Sequence, residues 1–346
     1  KKKWFAYNKG GAFNKWYGNA EYVVNWENNG QEIKAFTATL PQGMNVRLKS
    51  REYYFKECYS GSKITSSKMS FRYYPKGFVF DVAGCCVFTN KNNLFYFLGL
   101  SNSAVTSNFA SFISPTLNFE LDHLKKIPII LADENKKQYI EKVVRLNIQM
   151  SQTDWDSYET SWDFKKHPLV NGKSLSAVYA AWKDECEERF LQLKANEEEL
   201  NRIFIDIYGL QDEINPEVAD RDITVHRVYD RKEDVPESMQ GSKYIRTMRD
   251  EIVSLISYAV GCMLGRYSLD VEGLAYAGGE WDASRYSTFT PDRDNCIPIT
   301  DEEYFEDDIV GLFCTWLKKA YGEETLEQNL GFIAAALGNK GNTSRE

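Results

Sequence analysis

The sequence predicts an α+β chain, a mixed β-rich front followed by an all-helical remainder. Three observations point there. Residues 1–90 carry short runs of β-branched and aromatic residues cut by Gly, Asn and Pro, residues beyond 133 repeat their apolar positions every 3.6 residues, and the charge changes sign between the two styles.

In the front, Tyr22-Val23-Val24-Asn25-Trp26, Tyr53-Tyr54-Phe55, Phe71-Arg72-Tyr73-Tyr74 and the run from Gly77 to Val82 read as strands. Gly10-Gly11, Asn28-Asn29-Gly30, Pro41-Gln42-Gly43, Gly61 and Pro75 read as the turns between them, because these residues take backbone conformations that others avoid. Residues 92–112 turn helical, and Ile127-Pro128-Ile129-Ile130 closes the region as an extended segment. Helices are then expected at Lys136–Ile148, at Ser174–Gly209 with a break near Asn196, and at Lys243–Gly265, Asp301–Tyr321 and Glu324–Leu337. The polar stretch Arg231–Gly241 reads as a mobile connection. These patterns set boundaries at 1–135, 136–215 and 216–346.

A chain of 346 residues, 43% hydrophobic and 14% aromatic, buries enough surface to fold, which excludes a disordered polymer. The longest apolar stretch, Ile252 to Leu264, is broken by Ser254 and Ser257 and is too short to span a bilayer, so no membrane partner is expected. No export signal opens the chain. The seven cysteines are scattered without a C-x-x-C pair, and His123, His167 and His226 lie far apart. Neither a disulfide framework nor a structural zinc site follows from that pattern, and a reducing cytoplasm does.

The net charge of −8 argues against a nucleic-acid partner until it is divided. Residues 1–130 hold 17 Lys+Arg against 8 Asp+Glu, a surplus of nine, while the rest hold 25 against 42, a deficit of 17. The sign of a local field decides whether phosphate is attracted or repelled. The front therefore reads as a nucleic-acid module, and the acidic rear as a surface for protein or solvent. A plainer reading, in which the two halves neutralise each other across an interface, stays open.

Self-sufficient catalytic motifs are absent. A phosphate loop would need glycine five residues before Gly172-Lys173-Ser174, where His167 stands. No G-x-G-x-x-G follows a strand, and no G-x-S-x-G, H-E-x-x-H or kinase signature occurs. Asp292, Asp294 and Glu303 fall at calcium-loop offsets, but Ile297 occupies the position that needs glycine. The acidic clusters at 184–188, 197–199 and 302–308 read as solvated helix faces.

What remains is a basic and aromatic surface. In the segment from Lys9 to Asn19, Lys9 and Lys15 suit phosphate oxygens, Trp16 and Tyr17 offer flat contact area, and Asn19 offers an amide for base edges. Arg47, Lys49, Arg51, Lys63, Lys68, Arg72 and Lys76 extend the supply of cations. The alternative for Trp16 and Tyr17 is a place in the core of a small sheet. Two other functions stay open, a protein-interaction module and an RNA-binding module that stacks bases on Trp16, Tyr17, Tyr53 and Tyr54.

Several motifs carry a family resemblance. Lys9-Gly10-Gly11, Lys15-Trp16-Tyr17-Gly18-Asn19 and Val24-Asn25-Trp26-Glu27-Asn28 resemble the start of the target-recognition region in PglX-type adenine-specific DNA methyltransferases of BREX phage-defence systems. Tyr54-Phe55-Lys56-Glu57 and the stretch from Tyr74 to Val82 continue it. Leu98–Ser103, Ser114–Phe119 and Ile127-Pro128-Ile129 are similar to a pattern in type I and type IIG specificity domains. Ile207–Leu210, Ser257–Asp270 and Leu337–Glu346 resemble the same methyltransferases. The resemblance implies that residues 1–135 recognise double-stranded DNA for base flipping and for methyl transfer from S-adenosylmethionine to adenine N6. It also implies a helical part docking the rest of the parent enzyme or other defence components. The family's cofactor loop and Asn-Pro-Pro-Tyr/Phe motif do not occur, and Asn215-Pro216-Glu217-Val218 matches only two letters. The expectation is a middle-to-C-terminal piece without catalytic, cofactor or metal residues of its own, its catalytic domain preceding Lys1.

Overall fold

The computed structural model describes residues 2–62, 68–89, 93–113, 125–172, 174–300, 305 and 307–345. Lys63 and the Ser114–Phe119 motif lie outside them. The architecture is α+β, with eight short strands and nine helices among the described residues. The chain forms two compact units, the first made of Lys1–Trp155 and Leu191–Thr224, the second of Asp156–Phe190 and Val225–Glu346. These units do not follow the boundaries that composition suggests. Unit 1 holds 24 Lys+Arg against 21 Asp+Glu and unit 2 holds 18 against 29. The cationic surplus of the front is thus largely offset within unit 1 by acids of residues 191–224.

In unit 1, β1 (Trp4–Asn8) pairs antiparallel with β2 (Tyr22–Asn25) and parallel with β5 (Val79–Phe80). Strands β3 (Cys58–Ser62), β4 (Phe71–Tyr74) and β6 (Gly84–Val87) form a second sheet, antiparallel throughout, with β3 in the middle. Alternation along β1 turns Phe5 and Tyr7 toward a small core of Trp26, Tyr54 and Val79. Tyr53-Tyr54-Phe55 is not a strand. Ser50 enters the left-handed region at φ 55°, and Arg51–Tyr53 form a 3-10 turn that carries Tyr54 into this core.

Helix α1 (Glu27–Ala38) opens with three left-handed residues, Asn28, Asn29 and Gly30. Gly30 is required there twice over, since its φ is 68° and a Cβ would lie 2.9 Å from the Trp26 indole. Helices α2 (Gly43–Arg47), α3 (Leu94–Asn102), α4 (Ala104–Ile113) and α5 (Glu134–Asp156) follow. Helix α6 (Leu175–Tyr208) runs unbroken through Asn196. The Asn196 amide, which could have capped a break, donates instead to Asn147 Oδ1 on α5 at 2.8 Å.

Unit 2 is mainly helical. Helices α7 (Met248–Met263), α8 (Ile309–Tyr321) and α9 (Leu326–Leu337) join residues 175–190 of α6 around Leu175, Trp182, Ile252, Tyr258, Trp316 and Leu330. The sequence missed its short parallel strand pair, β7 (Arg227–Tyr229) and β8 (Ile245–Thr247). Helix α7 starts at Met248 rather than Lys243 because Thr247 caps it, accepting from Asp250 N while the Asp250 carboxylate accepts from Thr247 N at 2.8 Å. The polar stretch Arg231–Gly241 holds two 3-10 turns and plants Met239 in the interior. No helix among the described residues is long and apolar enough to cross a membrane.

His167 gives unit 2 a pH dependence. Its ring is buried, and Nδ1 accepts from Leu169 N at 3.2 Å, which requires the neutral form. Burial, aided by the nearby Arg246 charge, pushes its pKa down to about 3 from the ordinary 6.5. Below pH 6.5 the unfolded chain takes up a proton that the fold refuses, so stability falls as the pH drops. We expect unit 2 to be about 2 kcal/mol less stable at pH 5 than at pH 7. Urea titrations at the two pH values check this, and His167→Gln should remove most of the difference.

Candidate nucleic-acid interface

The segment from Lys9 to Asn19 folds into a loop laid against the edge of β4. Trp16 N donates to Phe71 O and Tyr73 N donates to Trp16 O, so Trp16 acts as a one-residue extra strand. It does so at φ 68°, an uncommon conformation for a bulky side chain. The indole explains why this conformation persists. Trp16 is 1% exposed, and its Nε1 donates to Glu197 Oε1 on α6 at 2.7 Å. Lys15 Nζ meets the other oxygen, Glu197 Oε2, at 2.6 Å. One buried carboxylate therefore binds two consecutive residues of the loop, and Lys15 N adds a bond to Thr224 Oγ1.

Arg72 holds the same loop from the sheet side. It is 0% exposed and donates to Ala12 O and Asn14 O of the loop and to the hydroxyls of Ser62 and Ser70. Asn19 Nδ2 donates to Ala12 O as well. Gly11 is needed beside it, because a Cβ there would lie 2.6 Å from Asn19 Nδ2. Lys15, Trp16, Asn19 and Arg72 are thus core residues that shape a loop. The hydrogen bonds they make turn inward, and all four side chains are buried. The core alternative for Trp16 is the one the fold adopts. Tyr17 is half-buried.

The other candidates lie at the surface. Lys68 pairs with Asp222 at 2.5 Å. Arg51 is half-buried and donates to Leu48 O and Asn45 Oδ1, bracing the turn before Tyr53. Lys9, Arg47, Lys49 and Lys76 are exposed and have no carboxylate partner among the described residues, and Lys9 Nζ rests 5.3 Å from the centroid of the Tyr22 ring.

Only Arg47 and Lys49 among these are brought into one cleft. It encloses about 430 Å³ and is walled by Tyr53, Tyr54, Phe80 and Phe88, with Lys125 as a third cation. Tyr53 and Phe88 face each other with centroids 4.7 Å apart and planes inclined by 37°. Tyr54 meets Phe80 edge-on at 5.0 Å and forms the floor. Burial raises the Tyr54 pKa against the opposing pull of Arg51, so its hydroxyl stays protonated at neutral pH. Asp81 is the one carboxylate lining the cleft among the described residues, and its oxygens accept from the Tyr7 hydroxyl and from Ala83 N. Cations over an apolar aromatic floor suit a planar ligand carrying negative charge. Lys125 and Phe88 had gone unnoticed in the sequence, and Tyr53 was offered only as a platform for RNA.

Among the described residues no group of His, Cys, Asp and Glu is placed to hold a metal ion. The Cys58 thiol pKa is raised by its hydrogen bond to Cys86 and then by burial, which leaves it protonated and inert.

No protein-family model matches the chain. It is 41% identical to the adenine-specific methyltransferase PglX of Lacticaseibacillus casei (strain Zhang) over 355 aligned positions that cover 100% of this chain and 28% of that protein. It is 34% identical to the adenine-specific methyltransferase BrxX of Escherichia coli O9:H4 (strain HS) over 347 positions, 97% of this chain and 27% of that one. The chain spans a little over a quarter of the length of these curated relatives. The resemblance to PglX-type methyltransferases thus holds along the whole chain, which matches one segment of PglX and of BrxX.

Proposed function

We propose that this chain is the DNA-recognition and docking part of an adenine-specific DNA methyltransferase of the BREX defence type, working in the cytoplasm on double-stranded DNA. The observation that carries the reading is similarity along the full chain to two methyltransferases named for adenine specificity. The exposed Arg47 and Lys49 at an aromatic cleft support it from the side of physical chemistry. In this reading unit 1 meets DNA. Unit 2, with 18 Lys+Arg against 29 Asp+Glu, repels phosphate and docks the remainder of the enzyme or its defence partners. Flipping an adenine out of the duplex costs a few kcal/mol, which phosphate and groove contacts of unit 1 offset.

S-adenosylmethionine supplies the methyl group in such chemistry, but this chain is given no part in holding it. The cofactor carries a sulfonium cation, and the cleft presents Arg47, Lys49 and Lys125. We assign no catalytic residue here.

The test is duplex binding followed by fluorescence anisotropy across salt concentrations. Burial of Lys15 and Arg72, pairing of Lys68 and the hydrogen bonds that engage Arg51 leave Lys9, Arg47, Lys49 and Lys76 of the candidates among the described residues. If each neutralises one phosphate, the slope of log K on log salt is about −3.6, and binding weakens roughly 150-fold between 50 and 200 mM salt. Binding indifferent to salt, or a preference for single strands over duplex, overturns the proposal.

A further inference from the structure

We propose that the cleft between the Arg51 turn and β6 is a nucleotide site, taking one unstacked base against Tyr53 and Phe88 and its phosphate on Arg47 and Lys49. The cleft volume of about 430 Å³ lies within the range of small-molecule sites. Tyr53 is 39% exposed although its ring is packed against Phe88, so an aromatic surface is held in place and left open to a ligand. A fixed ring of this kind stacks on a base at low entropic cost, as aromatic platforms do in proteins that bind single-stranded nucleic acid. Lys56 Nζ lies over the Tyr53 ring, 4.8 Å from its centroid, and gives way to a base that stacks on that face.

The polar groups are arranged for a phosphate and not for a second cation. Among the described lining residues Arg47 and Lys49 stand against one carboxylate, Asp81, whose oxygens already accept from Tyr7 and Ala83. Arg47 and Lys49 form no ion pair among the described residues, so their charge is available. A bare phosphate site would not need four aromatic side chains, and a purely apolar ligand would not need the cations. A ring joined to a phosphate uses both. Ser50, held at φ 55° on the rim, offers a hydroxyl that can donate to or accept from a base edge.

Two sources share this chemistry, an unstacked nucleotide of bound DNA and a free nucleotide. The proposal depends on the DNA reading only for choosing between them. The experiment uses the 346-residue chain and adenosine 5′-monophosphate as probe, with binding followed by equilibrium dialysis. Adenosine and ribose 5-phosphate should each bind at least tenfold more weakly than the nucleotide. Tyr53→Ala and the pair Arg47→Gln with Lys49→Gln should each weaken nucleotide binding at least tenfold, while Tyr53→Phe, which keeps the ring, should bind as the parent does.

A second arm uses a duplex with one unpaired 2-aminopurine, whose fluorescence reports stacking. If the nucleotide comes from DNA, the chain changes that signal and Tyr53→Ala does not, although Tyr53→Ala still binds a fully paired duplex. A signal unchanged by the chain, with the nucleotide still bound, assigns the site to free nucleotide. Ribose 5-phosphate binding as tightly as the nucleotide, or unimpaired nucleotide binding by Tyr53→Ala, overturns the inference even if duplex binding persists. Nucleotide binding without duplex binding sustains it and removes the DNA reading instead.

Discussion

Replacing Glu197 with leucine is expected to destabilise unit 1 by about 3–5 kcal/mol, because it strands a buried ammonium without its partner. The Lys15 and Glu197 side chains are 11% and 3% exposed, so water cannot replace the lost carboxylate at little cost. The same change orphans the Trp16 indole N–H. Glu197→Gln should fall between, since it keeps an acceptor for Trp16 and loses the charge. Adding Lys15→Met to Glu197→Leu should recover part of the loss, because the stranded charge is then removed too. Urea unfolding of the four proteins checks the series. A cost below about 1 kcal/mol for Glu197→Leu would mean that the pair contributes nothing beyond its own desolvation.

Arg72→Leu is the second large effect, expected at about 3 kcal/mol. The guanidinium binds the Ala12 and Asn14 carbonyls and two serine hydroxyls. Its loss leaves Asn14 O with no other side-chain donor among the described residues, while Ala12 O keeps Asn19 Nδ2. Removing a charge from the interior offsets part of that cost, which holds the figure below the Glu197 value. Arg72→Lys should rescue little, because an ammonium cannot span carbonyls and hydroxyls in different directions as a planar fork does. Rescue by lysine to parent stability would show that charge alone is what the site needs.

The first prediction turns on what holds Lys15 and Trp16 and the second on Arg72, three residues that the sequence offers as partners for DNA, while Glu197, expected on a solvated helix face, is buried. Composition identified the strands at Tyr22–Asn25 and Phe71–Tyr74 and most helices, because β-branched runs and 3.6-residue spacing are local properties. Burial of a cation is not local. Lys15 and Trp16 become core residues only because Glu197 arrives 182 and 181 positions later in the chain. Aromatic and basic residues alternating over a few positions look the same whether they face solvent or a distant carboxylate. The cleft was hidden for a similar reason, since Tyr53 and Phe88 meet across 35 positions and Lys125 enters from farther still. Arg47 and Lys49 stay exposed because no carboxylate among the described residues claims them.

The shared hold of Glu197 on Lys15 and Trp16 also bears on how segments of such a chain can be exchanged with those of a relative. The β-rich front completes its interior with side chains from residues 191–224, as the Lys15 N bond to Thr224 also shows. Swapping residues 1–135 alone for those of a relative would leave a foreign loop facing an inherited carboxylate. A transplant that carries its own clasp has to move both stretches together, so a borrowed front keeps its fold only in the company of the helix that fastens it.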